Sequence, residues 1–455
     1  MVALVRTSEY WGKNLLSTSK SHISHGVLGI AARASVPFFF SLLFSAQAQA
    51  QSGKITFEQA LLTAISNDLT LASQREKLRA AQSGLEAASA LPPPTLGMSL
   101  NNVPVDSFAF DQEAMTQGML SFSQKLPPRG LLAARELTQQ QAVNIASAES
   151  ELRRAQLAQT LNAAWIDGWQ ADATTKILDR HQAHFEQMVS AADASFRAGL
   201  RRSSQRDVLA LRTALSRLTN RRQMAITRLT VAQESFREWL DTEQLAQLDF
   251  SAMPAMTKAE FARESSNVSQ HPAIQLAQFK QQKSNAETTI AEAMGRSGRA
   301  VSVSYGHREA SANGVSRSDF ISIGFSMELT ALRRSANKSR IGSAQAKSDQ
   351  SMREKQQIEQ RLHSDLISKL AIKAQVEKQL ELYAGQIIPQ SQQQAELTRA
   401  AYRSDEATFK DMQRTQIDLM SVELEDLDLR RQRLMIINAL QYISSTVNDT
   451  QGEAQ

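Results

Sequence analysis

From Leu131 to Ala198 the chain contains no proline and a single glycine, Gly168, while Ala, Leu, Gln, Glu and Arg fill most positions. Such a run of helix formers specifies one uninterrupted helix from Arg129 through Ala198, after the stop at Pro127-Pro128. At 1.5 Å per residue it is ~100 Å long, about three times the diameter of a small domain. A helix of that length is a spacer or the wall of a tube. The stretch before it alternates, with Leu120, Phe122 and Leu126 on one side and Ser121, Ser123 and Lys125 on the other. This predicts a half-buried strand, long enough to cross a bilayer when tilted.

The first fifty residues read as a leader. Arg6, Lys13, Lys20 and Arg33 precede a nine-residue apolar run, Val36 to Phe44, which ends in small residues with alternative A-x-A cleavage points. Nine residues are too few for a spanning helix, which needs ~20. Without residues 1–50 the balance is 47 Lys+Arg against 45 Asp+Glu, because four of 51 bases and one of 46 acids leave with the leader. The basic excess therefore belongs mostly to the leader, and a nucleic-acid partner is not implied. There is no cysteine, which excludes disulfides, thiolate metal sites and a lipidated N-terminal cysteine. An exported chain with no apolar helical span beyond Ala50 enters a membrane only as a closed β-barrel.

A pattern occurs twice. In the first copy, 51–250, Thr56 and Gln59 form a capping-box signature at the start of a short helix. A second helix runs to Ala90, stopped by Pro92-Pro93-Pro94, and two alternating strands make a hairpin over 94–126. The long helix 129–198 ends at a glycine cap, Gly199, and a return helix spans 204–240 with a three-four apolar spacing. Asp249 to Pro254 reads as a linker. The second copy, 255–447, repeats this with helices over Thr257–Val268 and Pro272–Met294, a hairpin 299–328, a long helix 333–403 and a return helix 408–447. Residues 448–455 read as a disordered tail. Tyr402 stands 206 residues after Phe196, and Asp411 stands 204 after Asp207.

The last helix carries two apolar stripes, one through Ile417, Met420, Leu424, Leu427 and Leu434, the other through Leu419, Val422, Leu429, Ile436 and Leu440. A helix with a neighbour on each side needs this, so a hollow wall is favoured over a solid bundle. Four strands cannot close a barrel alone. Several copies must pool them.

The chain resembles the TolC-like outer-membrane efflux protein family over nearly all of residues 55–447. The stretch L-P-P-P-T-L-G-M-S-L-N-N-V-P-V-D-S-F-A-F-D-Q-E-A-M-T-Q is similar to the CzcC-type branch, associated with metal-cation export by heavy-metal RND systems. F-S-Q-K-L-P-P-R-G, F-R-A-G-L-R-R-S-S-Q-R-D-V-L and I-I-P-Q-S-Q-Q-Q-A-E-L-T-R-A-A-Y-R-S-D-E-A-T-F-K-D-M match further family motifs. The resemblance implies an α+β membrane protein in which long antiparallel helical hairpins form an α-barrel. Two β-hairpins per chain would contribute four strands to a trimeric 12-stranded β-barrel. It also implies a homotrimer in contact with outer-membrane lipid, a periplasmic adaptor protein and an inner-membrane RND pump, with no cofactor of its own.

By the same resemblance, Tyr402 helps to constrict the closed periplasmic end and Asp411 forms a negative ring in the lumen. Asp405 stands where the family has its turn glycine, Ala407 where it has an arginine, and Arg414 where it has a second aspartate. Three carboxylates in a narrow pore favour cations, and Arg414 beside Asp411 offsets that charge. Phe196, Gly199, Leu200 and Asp207 are the matching candidates for adaptor contact. Arg197, Arg201, Arg202 and Arg206 crowd the same tip, either to meet an acidic adaptor surface or to keep a helix end in water.

His181 and His184 lie three apart on the long helix and read as surface histidines, with metal binding the minor alternative. Trp165 and Trp169 read as packing residues. Asp106, Asp111 and Glu113 read as a solvated loop. No nucleophile motif or phosphate-binding glycine loop is present, so the expectation is a non-enzyme. Two other functions stay open: an outer-membrane component of a type I protein-secretion system, and a soluble periplasmic coiled-coil scaffold.

Overall fold

A computed structural model of the chain describes residues 53–199, 204–253 and 268–445. The expected leader, the tail, the helix preceding Val268, and Leu200, Arg201 and Arg202 lie outside them. Thr56 opens α1 (Phe57–Asn67) with the expected capping box: its Oγ1 accepts from the Gln59 N–H, and Gln59 Oε1 accepts from the Thr56 N–H at 3.0 Å. Asp68 caps α2 (Leu69–Ala88), accepting from the Leu71 N–H at 2.7 Å. The remaining helices are α3 (Leu131–Arg197), α4 (Gln205–Glu234), α5 (Thr242–Ala246), α6 (Pro272–Ala293), α7 (Arg334–Leu382), α8 (Ile388–Arg403) and α9 (Phe409–Ile443).

Four antiparallel strands, β1 (Thr95–Asn101), β2 (Gln117–Leu126), β3 (Arg299–His307) and β4 (Phe320–Met327), form one sheet in sequence order. The register aligns Leu96, Phe122, Val303 and Ile323 in one cross-strand row, and Met98, Leu120, Tyr305 and Ile321 in the next. All eight side chains are exposed. Because side chains alternate between faces, the adjacent rows, such as Gly97, Ser121, Ser304 and Ser322, are small and polar. One face of the sheet is thus an uncovered apolar surface, and the other is suited to water.

The helices continue this linear order. Next to the sheet, α3 packs against α2 and α6, and α6 against α7. Farther along, α3 packs against α4 and α9, and α9 against α7 and α8. At each level four elements stand side by side, and the outermost two have a neighbour on one side only: β1 and β4, then α2 and α7, then α4 and the α7–α8 stave. The two stripes of α9 meet α3 and α7–α8, as a helix between two neighbours requires.

The densest core gathers where α1 and α2 meet the middle of α3. Trp165 is buried there edge-on to Phe57 and Phe236, with Phe250 tilted against it at 4.7 Å. This explains the one glycine of α3: a Cβ on Gly168 would overlap the Phe250 ring. Asp68 is buried beside this core and accepts from Arg153 Nη2 at 2.6 Å and Trp239 Nε1 at 3.0 Å. Burial alone would raise its pKa, but the bonds from Arg153, the Leu71 N–H and Trp239 outweigh that and hold it below the ordinary value.

Three sequence expectations need correction. The return helix ends at Glu234 instead of reaching residue 240, because Phe236, Trp239 and Leu240 turn into the core before Asp241 caps α5. The described part of the expected linker at 249 is anchored: Ile55 pairs with Leu248 in a parallel bridge, and Phe250 is buried. The long second helix is divided by a π-turn, Tyr383–Ile387, ahead of Pro389. Proline has no N–H to donate to the Gly385 carbonyl and its ring crowds that carbonyl; a wider turn relieves both.

Candidate functional site at the helical tips

The two helical hairpins end close together, with Val208 and Phe409 in one buried cluster with Phe185 and Met188. Each turn needs a residue in the left-handed region. In the first it is Gly199, with φ 67°, whose N–H donates to the Phe196 carbonyl at 3.1 Å. In the second it is Asp405, with φ 63°. Aspartate adopts this conformation at some cost where glycine does so freely.

Each return helix then starts with the same box. Asp207 Oδ2 accepts from the Ser204 N–H at 2.8 Å and the Ser204 hydroxyl at 2.6 Å, while Ser204 Oγ accepts from the Asp207 N–H. Asp411 Oδ2 accepts from the Thr408 N–H at 3.0 Å and the Thr408 hydroxyl at 2.6 Å, while Thr408 Oγ1 accepts from the Asp411 N–H. Sequence reasoning singled out both aspartates by resemblance and missed this local function, although S/T-x-x-D is readable as a cap signature. The hydroxyl and N–H of Thr408 hold the Asp411 carboxyl below its ordinary pKa, and Lys410 and Arg414 act in the same direction. Arg414 extends into solvent, with Asp418 as its nearest carboxylate at 3.9 Å.

Tyr402 packs its ring on buried Phe409, centroid to centroid at 4.6 Å, so it is fixed to the start of α9. Phe196 lies at the other tip with much of its ring exposed. Arg197 is held by Asp193 at 2.7 Å. Arg206 instead borders a groove of about 500 Å³ between α4 and α9, whose apolar floor includes Phe185, Leu218 and Met420 and whose rim includes Arg217 and Arg221.

Higher on α3, His181 is buried against α9. Its Nε2 pairs with a Glu423 carboxylate oxygen at 3.0 Å, and its Nδ1 with the Gln416 side-chain amide at 2.8 Å. That bond, with Arg180 nearby, holds the Glu423 carboxyl below its ordinary pKa despite partial burial. His181 joins two staves, and the surface reading of it is corrected accordingly. His184 lies 6.5 Å from it, ring to ring. Among the described residues no three His, Asp or Glu side chains gather to hold a metal ion.

No protein-family profile and no curated protein matches the chain. Solved structures do. The outer membrane protein VceC of Vibrio cholerae aligns with a TM-score of 0.72 at 14% identity, over 86% of this chain and 96% of that one. The outer-membrane channel OprN aligns at 0.71 and 16% identity, over 85% and 89%. The Campylobacter jejuni CmeC outer membrane channel aligns at 0.71 and 12% identity, over 88% and 89%. The chain has the fold of these outer-membrane channels, largely helical with a few antiparallel strands.

Proposed function

We propose that the protein is an outer-membrane channel, the exit duct of a tripartite RND-type efflux pump, which passively conducts metal cations or small toxic compounds from the periplasm to the exterior. The observation that carries this is the sheet. An uncovered apolar face built from eight aligned large side chains is far outside what a water-soluble monomer exposes, and its natural solvent is lipid. No described helix is long and apolar enough to cross a membrane, so the sheet must do it.

Four strands leave both sheet edges open, and the unpaired N–H and C=O groups there have no place in hydrocarbon. The edges differ from one another, β1 on one side and β4 on the other, so copies join head to tail and close as a ring. Three copies give a 12-stranded barrel, with the small polar face lining the lumen and the helices continuing as a tunnel. We read the two halves as an internal duplication, on the repeated order of hairpin, long helix and return helix and on the paired capping boxes. Residues 1–50 are the export leader.

The tips are the periplasmic end in this reading. Tyr402, Asp405, Asp411 and Arg414 border the gate, and Phe196, Gly199, Leu200 and Asp207 meet the adaptor. The energy comes from the inner-membrane pump, and the chain itself performs no chemistry. Purified protein added to planar bilayers is expected to give ion currents, and cell fractionation to place a heat-resistant oligomer in the outer membrane. A freely soluble monomer would overturn the proposal. Tolerance of a deletion strain to metals and to organic toxicants then identifies the cargo.

A further inference from the structure

The groove between α4 and α9 carries a charge that its place in the wall does not require. Its lining includes three arginines, Arg206, Arg217 and Arg221, and no aspartate or glutamate. At about 100° per residue the three fall within ~60° of one another round α4. On the side of α4 turned toward α3, by contrast, Arg212 pairs with Asp193 at 3.5 Å and Arg222 with Asp179. Among the described residues no carboxylate forms an ion pair with the three arginines of the rim, so the groove is bordered by unbalanced positive charge.

Below the rim the groove is apolar and open. Phe185 of α3, Leu218 of α4 and Met420 of α9 form its floor. On the α4 wall Ala210 and Ala214 stand one turn apart, and side chains this short leave the space of about 500 Å³ unfilled. A cleft of that size, apolar with a few convergent charged groups, is the usual form of a small-molecule site. The charges are also spaced for it. Arg217 and Arg221 lie one turn apart, ~6 Å along the helix, close enough to share one anionic group, while Arg206 lies ~16 Å from Arg217 toward the tip.

We infer that the groove binds an amphipathic organic anion, a flat or elongated apolar body carrying one carboxylate, sulfate or sulfonate. Arg217 and Arg221 hold the head group, and the body lies along Phe185, Leu218 and Met420 toward Arg206. A metal cation is the wrong occupant, because the lining supplies three positive charges and no anionic oxygen ligand. Since α4 belongs to the first helical hairpin and α9 to the second, the bound anion bridges the two near their tips. The inference goes beyond the duct reading, because the site lies within one chain.

The test titrates two fluorescent probes that share one ring system, anilinonaphthalene sulfonate and the uncharged phenylnaphthylamine, into the full-length protein in phosphatidylcholine nanodiscs. Saturable sulfonate binding is expected, tighter than that of the uncharged probe and weakening as salt rises. Arg217→Gln with Arg221→Gln is expected to weaken the sulfonate about tenfold or more and to leave the uncharged probe unchanged. Ala214→Phe, which fills the cleft, is expected to lose both. Arg212→Gln with Arg222→Gln, outside the groove, is expected to change neither. No saturable sulfonate binding, equal affinity for the two probes, or a loss as large from the Arg212 and Arg222 changes as from the Arg217 and Arg221 changes overturns the site. An acidic amphipathic helical peptide that binds through Arg217 and Arg221 where the sulfonate does not also overturns it, and makes the groove a protein-docking surface. Planar-bilayer currents from the same preparation report separately on the duct, so the two readings fail independently.

Discussion

Inner and outer staves of this protein are made of similar helix formers and bury very different fractions of their length. Helix α3, flanked on both sides, buries 19 of its 67 residues, whereas α7, at an edge, buries two of 49. The same contrast separates α9 from α4, with 11 of 35 against five of 30. Burial here follows position in the wall. A helix of α7's length with so little buried surface is not held by its own propensity alone, and packing within one chain stabilises the edge staves far less than the inner ones.

Substitutions can break this contrast. The largest effect is expected from Trp165→Ala on α3, about 4 kcal/mol by cavity formation, while Leu382→Ala at the edge should cost less than about 0.5 kcal/mol in separated protomers. Denaturation of dissociated protein checks both, and equal losses would erase the distinction. Next, Asp68→Ala leaves Arg153 and Trp239 without their shared acceptor and is expected to cost about 3 kcal/mol. Because the folded state depresses the pKa of Asp68, its contribution is full above the ordinary value of 3.8 and is lost as pH falls through the folded value. An acid titration of stability should therefore lose that component in the variant.

A smaller effect, about 2 kcal/mol, is expected for Gly168→Ala, since the new methyl must displace Phe250. Phe250→Leu in the same background should restore part of it, measured as the thermal midpoint. Smallest are the caps: Ser204→Ala and Thr408→Ala should each cost about 1 kcal/mol of helix stability, because the two boxes have matching geometry. If Thr408→Ala proves much costlier in the assembled protein alone, the tip between α8 and α9 carries contacts between copies that the tip between α3 and α4 lacks.

Much of the fold was legible because its signals are local. Alternation placed all four strands, and Thr56 with Gln59 placed the first cap. What escaped depends on distant partners. Phe236 and Trp239 continue the three-four spacing of α4, which predicts a longer helix, although both side chains answer to Trp165 and Asp68. Gly168 is the one glycine of α3 in the sequence, and its reason, the Phe250 ring, comes from a distant part of the chain. In the sequence His181 has His184 three residues away, whereas its partners, Gln416 and Glu423, lie on α9 more than 230 residues on. At the tips the order was reversed: the resemblance drew notice to Asp207 and Asp411 as functional groups, and the structure adds that each first serves to start its own helix.

The π-turn at Tyr383–Ile387 has a further effect on how the edge stave is phased. It takes up one residue more than an α-turn would, so the angular bookkeeping that holds above it is offset by one position below. A length change of a single residue at this point can be absorbed by converting the turn, leaving both the sheet end and the tip in register with the other three staves. The edge stave thus has a built-in vernier, held in its present setting by the Tyr383 hydroxyl, which donates to Glu425 on α9 at 2.8 Å.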